Sequence, residues 1–409
     1  MTANRSGDDV HLPPAIVVGG DVNALSIGRS LARSGVDVYA VNEGASPTRY
    51  SRYVRWIPMP GKAKPDDWAG FLLGSAAEKL QGAVLLAASD AALEFVAAHR
   101  PELASRFRLD ISNPSAQLCM LDKLCTYRAA VAAGIPTPRF WAVASADDVE
   151  AVRSELVYPL IVKPRRSHLF EARFGRKFFV RNSFEETVDA ITVALEAGSD
   201  VLLMELIPGA DDQLCSYYTY LDDDGQPLFD FTKRIVRRHP FNMGPGTYHV
   251  TDHIPALRDP ALALFRQVGL RGVANVEFKL DPRDGTLRLI ECNARFTSSN
   301  ELLVRAGFDL APWVYQRILG GTPQMPETSR AGLHLWSPAQ DFQAFLELRA
   351  TGQLGFLAWI QGLLHRQAYP VWDWRDPVPS VVAHGRLGRK ALGILRGRLQ
   401  HPAARPVQG

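Results

Sequence analysis

The segment from residue 271 to residue 300, RGVANVEFKLDPRDGTLRLIECNARFTSSN, constrains the fold of this chain more than any other stretch. Residues 273–280 read as one strand, and DPRDG at residues 281–285 supplies the proline and glycine of a turn. Residues 286–292 then read as the returning strand. The segment therefore predicts a β-hairpin.

The hairpin carries its charged side chains at matched heights. Because side chains alternate between the two faces of a strand, Glu277 and Lys279 share one face. On the partner strand Leu289 and Glu291 share one face, and Ile290 is expected to point the other way, toward a core. The hairpin thus predicts a polar face and an apolar face.

One end of this hairpin gathers groups that suit a metal ion with a phosphate chain. Glu291 ends its strand, and Asn293 and Arg295 follow at the second and fourth positions after it. Magnesium prefers a few carboxylate or amide oxygens, while arginine offers a planar fork to phosphate or carboxylate. The alternative is a surface hairpin with ordinary exposed charges. The position of Glu277 in an otherwise apolar strand favours the metal site.

Two lysines that precede the hairpin lie at the ends of predicted secondary-structure elements. Lys123 opens a helical pattern, and Lys163 ends the apolar strand YPLIVKP at residues 158–164. Burying an ammonium group without a partner is costly, so an anionic ligand is one explanation for Lys163. The other is a lysine that reaches solvent from the strand end.

In this order, the motifs DK-x3-YR-x5-GIPTP, YPLIVKP and the acidic hairpin resemble the ATP-grasp superfamily over roughly residues 15–325. The resemblance implies that Lys123 and Lys163 contact the phosphates of ATP. It implies that the metal ion, Mg²⁺ or alternatively Mn²⁺, is held by three residues: Glu277, Glu291 and Asn293.

The resemblance also assigns a flap over the phosphates to the loop RRSHLFEARFGRK at residues 165–177. In many relatives this loop is rich in glycine and serine. Here it is rich in arginine, and Gly175 is its only glycine. Lys177 is either a further phosphate contact or an ordinary surface lysine.

A hinge between two lobes is expected at LIPG, residues 206–209. By resemblance, Glu205 and the backbone of Leu206 and Ile207 bind the edge of adenine. One acid of the following pair binds the ribose, and we favour Asp212 because it leads directly into a strand; the alternative is a solvated turn.

A basic run, TKRIVRRH, follows at residues 232–239. A run of charges is usually a solvated face, but here the resemblance places it beside the γ-phosphate. Alternation puts Lys233 and Arg237 on one face. With Arg295, these residues are the predicted catalytic cations.

The expected fold class is α/β. Residues 1–118 predict an N-terminal doubly wound (pre-ATP-grasp) domain, with βαβ units and no G-x-G-x-x-G motif. The resemblance then implies a two-lobed α+β ATP-grasp domain at residues 119–325, with lobes at about 119–205 and 206–325. Residues 326–409 form a helical, basic C-terminal extension.

That extension has an apolar helix face within residues 354–364, and no acid follows Asp376. Six basic residues accumulate after it: Arg386, Arg389, Lys390, Arg396, Arg398 and Arg405. The stretch is either a capping helix with a solvated basic tail or a peripheral contact with an anionic membrane.

Composition restricts the partners. The net charge of +3 over 409 residues gives no argument for nucleic acid. Four cysteines without C-x-x-C spacing argue against a zinc site and a disulfide framework. With no signal-like or membrane-spanning apolar run, we expect a cytoplasmic protein. We also expect a homo-oligomer.

The function implied by the resemblance is an ATP-dependent, ADP-forming ligase. It would activate a small-molecule carboxylate as an acyl phosphate and join it to an amine, or to a thiol. The sequence looks closest to carboxylate–amine ligases related to D-aspartate ligases. The alternatives are an ATP-grasp phosphotransferase and a non-catalytic ATP-binding module.

Overall fold

The N-terminal part of the chain forms a parallel sheet whose strand order reverses in the middle. The structure, a computed structural model, describes residues 12–44, 46–60 and 65–385. The strands run in the order β3-β2-β1-β4-β5 and are parallel. Their bounds are β1 Ala15–Val18, β2 Val38–Glu43, β3 Arg55–Met59, β4 Val84–Ala87 and β5 Arg108–Leu109. The helices are α1 Val22–Arg33, α2 Pro65–Leu72, α3 Asp90–Ala98, α4 Arg100–Ala104 and α5 Pro114–Leu121.

The second unit is a four-stranded antiparallel sheet in the order β6-β9-β7-β8. Its strands are β6 Phe140–Val143, β7 Leu160–Pro164, β8 Phe179–Arg181 and β9 Val201–Glu205. Its helices are α6 Lys123–Ala132, α7 Ala146–Ala151, α8 Ser167–Phe174 and α9 Phe184–Glu196. The segment expected as a loop over the phosphates is therefore largely the helix α8, which ends at Gly175 in a left-handed conformation.

The third unit is a seven-stranded sheet in the order β14-β13-β10-β11-β12-β15-β16. Its strands are β10 Leu214–Leu221, β11 Phe231–Arg238, β12 Gly246–Thr251, β13 Gly272–Asp281, β14 Thr286–Asn293, β15 His334–Trp336 and β16 Gln367–Ala368. Its helices are α10 Arg258–Val268, α11 Asn300–Ala306, α12 Leu310–Ile318, α13 Pro338–Ala350 and α14 Phe356–Leu363. The C-terminal extension thus contributes two strands to this sheet as well as helices.

A shared hydrophobic core joins the first and third units. Ile27 and Leu31 of α1 are fully buried in the same cluster as Leu302, Leu303 and Trp313 from α11 and α12. Burial of such side chains is the main favourable term in folding. The N-terminal domain is therefore packed directly on the larger sheet.

The structure bears on the expectations about the cysteines and about membrane-spanning segments, but not on the basic C-terminal tail. The basic residues from Arg386 onward lie outside the described residues. The cysteine spacing argued against a disulfide framework, but within the described residues Cys119 and Cys125 form one disulfide across the turn between α5 and α6, with Cα atoms 5.2 Å apart. Cys215 and Cys292 are free and buried. Among the described helices, none has the length and apolarity to cross a membrane.

Arg237, predicted to be catalytic, is held in a buried ion pair instead. Its Nε and Nη2 donate to the carboxylate of Asp341 on α13 at 2.7 and 2.9 Å. The same carboxylate, fully buried, also accepts from the indole nitrogens of Trp336 and Trp359. This network fastens the C-terminal extension to β11.

We predict that Asp341→Ala lowers the free energy of unfolding by about 3–5 kcal/mol, because it leaves the Arg237 guanidinium buried without its counter-charge. Urea denaturation of the purified chain measures the change. Asp259→Ala is the control, since that side chain is 94 % exposed and should change stability by less than about 0.5 kcal/mol. Equal effects of the two substitutions would contradict the structural role of the pair.

Candidate active site

A cavity of about 610 Å³ lies where the three units meet. This volume is within the range of ligand pockets, roughly 300–1,000 Å³. Its walls include Gly19 and Asp90 from the N-terminal domain, Lys163 from β7, and Lys233 and Glu277 from the large sheet. One cavity therefore collects groups from residues far apart in the sequence.

The predicted hairpin forms, and it opposes the two predicted carboxylates directly. Glu277 on β13 is in register with Glu291 on β14, as is Asn275 with Asn293. Like charges facing each other across two strands are unfavourable, so a cation between them would relieve the repulsion. Both carboxylates and Asn293 line the cavity.

The pairing of the hairpin contains a β-bulge that the sequence did not reveal. Glu277 faces Glu291 and Phe278 faces Leu289, so Ile290 is the extra residue. Leu289 is buried in the core while Ile290 lines the cavity beside Glu291. The expectation that Ile290 points to the core, away from Glu291, was therefore wrong.

The bulge exposes a carbonyl oxygen that organises the two predicted lysines. The hydroxyl of Tyr127 donates to the carbonyl of Ile290 at 2.8 Å, and Lys163 Nζ reaches the same carbonyl at 3.3 Å. Lys163 Nζ also donates to the Tyr127 hydroxyl at 3.2 Å. Lys123 Nζ is 2.8 Å from Glu291 Oε1. The structure thus brings Lys123 and Lys163 together at the base of the hairpin, where Lys163 lines the cavity and Lys123 is absent from its wall.

Burial and neighbouring charges shift the pKa values of Glu291, Lys163 and Lys123 away from their ordinary values. Burial would raise the pKa of Glu291, but the ammonium groups of Lys123 and Lys163 lower it to about 2. Burial lowers the pKa of Lys163 to about 8, although Glu291 opposes that shift. For Lys123, burial lowers the pKa and Glu291 raises it further, leaving it above its ordinary value. Glu291 is therefore ionised at neutral pH.

Lys233 belongs to the same cross-strand row of the sheet as Glu277 and Glu291, and it lies at the end of that row opposite Glu291. Glu291, Glu277, Ser216 and Lys233 lie side by side across β14, β13, β10 and β11. The Lys233 ammonium is buried and 3.3 Å from His249 Nδ1, whose pKa burial and Lys233 keep well below the ordinary value. Among the described residues, no carboxylate lies within salt-bridge distance of Lys233. A buried cation of this kind calls for an anionic ligand.

Ser216 is a site residue that no pattern in the sequence indicated. Its Oγ is fully buried between Glu277 and Lys233, and within the described chain it has no hydrogen-bond partner. An unsatisfied buried hydroxyl costs free energy unless a ligand or water completes it. Only the strand pairing, which is tertiary information, brings Ser216 to this row.

The donor set fits a hard divalent cation. Asn293 Nδ2 donates to Asn275 Oδ1, which leaves the amide oxygen of Asn293 outside that bond. Together with Glu277 and Glu291, this gives three side chains on one hairpin that can offer oxygen atoms to a metal ion. In the described ranges no cluster of three or more His, Cys, Asp and Glu side chains is placed to hold a metal. Magnesium commonly takes only one or two protein carboxylates and completes its shell with phosphate oxygens and water.

The predicted hinge lines the cavity, and a third lysine holds it. Leu206 and Ile207 are cavity residues. Lys279 Nζ donates to the carbonyls of Ile207 and Gly209 at 2.9 and 3.1 Å, and burial lowers the pKa of Lys279 to about 8. Its place on the Glu277 face was predictable, but its contact with the hinge was not.

Two residues assigned to the nucleotide lie elsewhere. The Glu205 carboxylate pairs with Arg283 at 2.6 Å and is absent from the cavity wall. Asp212 is exposed and also absent from that wall. The neighbouring Asp211 is buried and pairs with Arg238 at 2.8 Å. The structure therefore does not bring Glu205 or Asp212 to the predicted site.

The remaining predicted cations do reach the cavity. Arg295 lines it and pairs with Asp90 of α3 at 2.5 Å. Lys177 is exposed and also lines the cavity, as do Ser167 and Glu171 of α8. Arg295 therefore links the acidic hairpin to the N-terminal domain.

The N-terminal domain closes the cavity with the carboxyl edge of its parallel sheet, the usual ligand-binding edge of such sheets. Gly19 has φ +67°, and a Cβ there would lie 2.3 Å from Ser89 Oγ. Asn42 and Glu43, at the end of β2, line the same end. The sequence indicated a tight turn at Gly19 but not this role.

Comparisons with known proteins agree with this geometry. Residues 242–322 match the family described as carbamoyl-phosphate synthase L chain, ATP binding domain. A D-aspartate ligase of Enterococcus faecium is 27% identical over 73% of this chain and 75% of its own length. A D-alanine–D-alanine ligase of Xanthomonas axonopodis is 28% identical over 46% of this chain, which spans 60% of that relative.

Solved structures show the same fold. N5-carboxyaminoimidazole synthetase from Staphylococcus aureus is 16% identical, with a TM-score of 0.57 over 79% of this chain and 81% of that one. The biotin carboxylase–ATP analogue complex from Campylobacter jejuni is 17% identical, with a TM-score of 0.60 over 78% and 74%. The family match, the sequence relatives and the shared fold together support an ATP-grasp enzyme of the carboxylate–amine ligase type.

We predict that the affinity for a non-hydrolysable ATP analogue falls as the pH rises through about 8, where Lys163 loses its proton in the ligand-free protein. Phosphate favours the protonated form, so the dissociation constant should rise about tenfold per pH unit above that point. Isothermal titration calorimetry at fixed magnesium measures this.

Lys163→Arg is the matched variant, because a guanidinium stays charged throughout that range. Its affinity should be nearly independent of pH. A parallel fall in the variant would assign the effect to another group, such as Lys279.

Proposed function

We propose that this protein uses ATP to convert the carboxylate of one small molecule into an acyl phosphate, which an amine then attacks. The observation that carries the proposal is the row formed by Glu291, Glu277, Ser216 and Lys233. It presents oxygen donors for a divalent cation next to a buried ammonium that lacks a carboxylate partner among the described residues.

The phosphate chain of ATP is proposed to lie against Lys163, while Lys123 positions Glu291, with the adenine at Leu206 and Ile207. Glu277, Glu291 and Asn293 would hold Mg²⁺, which when bound neutralises phosphate charge. Phosphoryl transfer depends mainly on positioning and charge neutralisation. The buried lysines supply both without a covalent protein nucleophile.

The acyl donor is proposed to bind with its carboxylate between Lys233 and Arg295. One carboxylate oxygen attacks the γ-phosphorus, and the bond from that phosphorus to the bridging oxygen of ADP breaks. The amine nitrogen then attacks the acyl carbon, phosphate leaves and the nitrogen loses a proton. Both cations face the cavity, so they can offset the charge of the donor and of the transferred phosphoryl group.

The amine is proposed to enter from the N-terminal domain, where Glu43 lines the cavity and Asp90 is held by Arg295. The Glu43 carboxylate at this end favours an ammonium-bearing substrate, while the lysines favour phosphate at the other end. The D-aspartate ligase and D-alanine–D-alanine ligase relatives, by name, act on amino acids. We therefore propose amino acids as the class to test first.

We predict that ADP and free phosphate form only when an amino-acid carboxylate and an amine are both supplied with ATP and Mg²⁺. Phosphorus NMR of the full chain with pooled substrates measures this. With hydroxylamine in place of the amine, the acyl phosphate should be captured as a hydroxamate. A persistent phosphate ester that resists hydroxylamine would instead indicate a phosphotransferase.

Lys233→Met is the informative variant, because it removes the cation proposed to face the acyl donor while keeping the length of the side chain. Its rate of hydroxamate formation should fall by roughly 10²–10³-fold. Lys79→Met, outside the cavity wall, is the control. A Lys233 variant with full activity would contradict this assignment.

A further inference from the structure

The helix α14 has an unusual combination of composition and exposure. Its sequence FLAWIQGL is almost entirely apolar, yet only Trp359 is buried. Leu357 is 76% exposed and Leu364, just after the helix, is 80% exposed. Phe356 and Ile360 are also exposed. A helix that is apolar on all sides is normally covered by other parts of a protein, so this one indicates a docking surface.

The neighbouring helix α13 extends the exposed apolar area. Phe342 and Leu346, one helical turn apart, are 48% and 49% exposed. Trp359 lies between the two helices, with its ring 6.0 Å from Phe342 and stacked 4.6 Å from Phe345. We define the α13–α14 surface by six residues: Phe342, Leu346, Phe356, Leu357, Ile360 and Leu364.

Arginines predominate among the exposed charges of the segment that carries this surface. From residue 348 to residue 372 the chain has no Asp or Glu, while Arg349 and Arg366 are exposed. The acids on α13 are engaged elsewhere: Asp341 is buried against Arg237, and Glu347 accepts from the backbone of Phe241. The surface therefore presents apolar side chains flanked by guanidinium groups.

The sequence beyond this region has the same bias. After Asp376 it contains six Lys and Arg residues and no acid. A protein partner would need a matching acidic and apolar patch, whereas an anionic bilayer offers both features over any area. Charge complementarity thus selects the bilayer.

We propose that the α13–α14 surface docks this protein on an anionic lipid bilayer. The helix α14 lies in the plane of the interface, with Leu357, Ile360 and Leu364 among the acyl chains. The arginines contact the lipid headgroups. The proposal is independent of the reaction in the cavity.

Co-flotation of the full chain with vesicles tests this. Vesicles of phosphatidylglycerol and phosphatidylcholine in equal parts should bind it, and binding should weaken with added salt. The variant Leu357→Gln/Ile360→Gln/Leu364→Gln should partition onto these vesicles roughly tenfold or more weakly than the wild type. ATP turnover and thermal unfolding should be unchanged, because these side chains are exposed.

The matched control is Val131→Gln/Val157→Gln/Val193→Gln, which alters three exposed aliphatic residues outside the α13–α14 surface. It should bind vesicles as the wild type does. Undiminished binding of the α14 variant would overturn the proposal and assign attachment to the basic tail. Concentration-dependent dimers that the α14 variant abolishes, without vesicle binding by the wild type, would identify a second copy as the occupant and also overturn it.

Discussion

The partly buried contact between Lys123 and Glu291 is the interaction on which the site depends. It joins the first residue of α6 to the end of β14, two segments that are 168 residues apart in the sequence. Lys163 and Tyr127 reinforce it through the carbonyl of Ile290. Breaking a buried pair by removing one partner leaves an uncompensated charge, so this contact fixes where the two lobes meet and where the cavity lies.

Positive and negative side chains occupy different parts of the cavity wall. Ammonium groups lie along β7 and β11, the paired carboxylates lie on the hairpin between them, and further acids lie on the N-terminal domain. Glu277 and Glu291 oppose each other directly, and Lys123 offsets the charge of Glu291, so a further cation would relieve the repulsion that remains at Glu277. The buried Ser216 hydroxyl and the Lys233 ammonium next to Glu277 favour an anionic ligand. The protein supplies a preorganised polar frame rather than a nucleophile.

Local sequence was enough to predict the hairpin, and motif order was enough to select Lys163, Leu206 and Ile207, which line the cavity. Their contacts with a nucleotide stay predictions. Local sequence failed where a charged side chain has a tertiary partner, as for Glu205 with Arg283 and Arg237 with Asp341. It also failed at Ile290, because a bulge adds one residue and reverses the alternation. Such partners and register shifts are determined by distant strands, which local pattern does not encode.

Manganese binding to the nucleotide complex tests the central claim most directly. Electron paramagnetic resonance of free Mn²⁺, titrated against the protein with a non-hydrolysable ATP analogue, gives the affinity of the metal. Glu277→Gln should weaken that affinity by roughly tenfold or more, whereas Glu327→Gln, an exposed control, should leave it unchanged. Equal affinities in the two variants would show that the opposed carboxylates do not hold the metal, and would contradict the account.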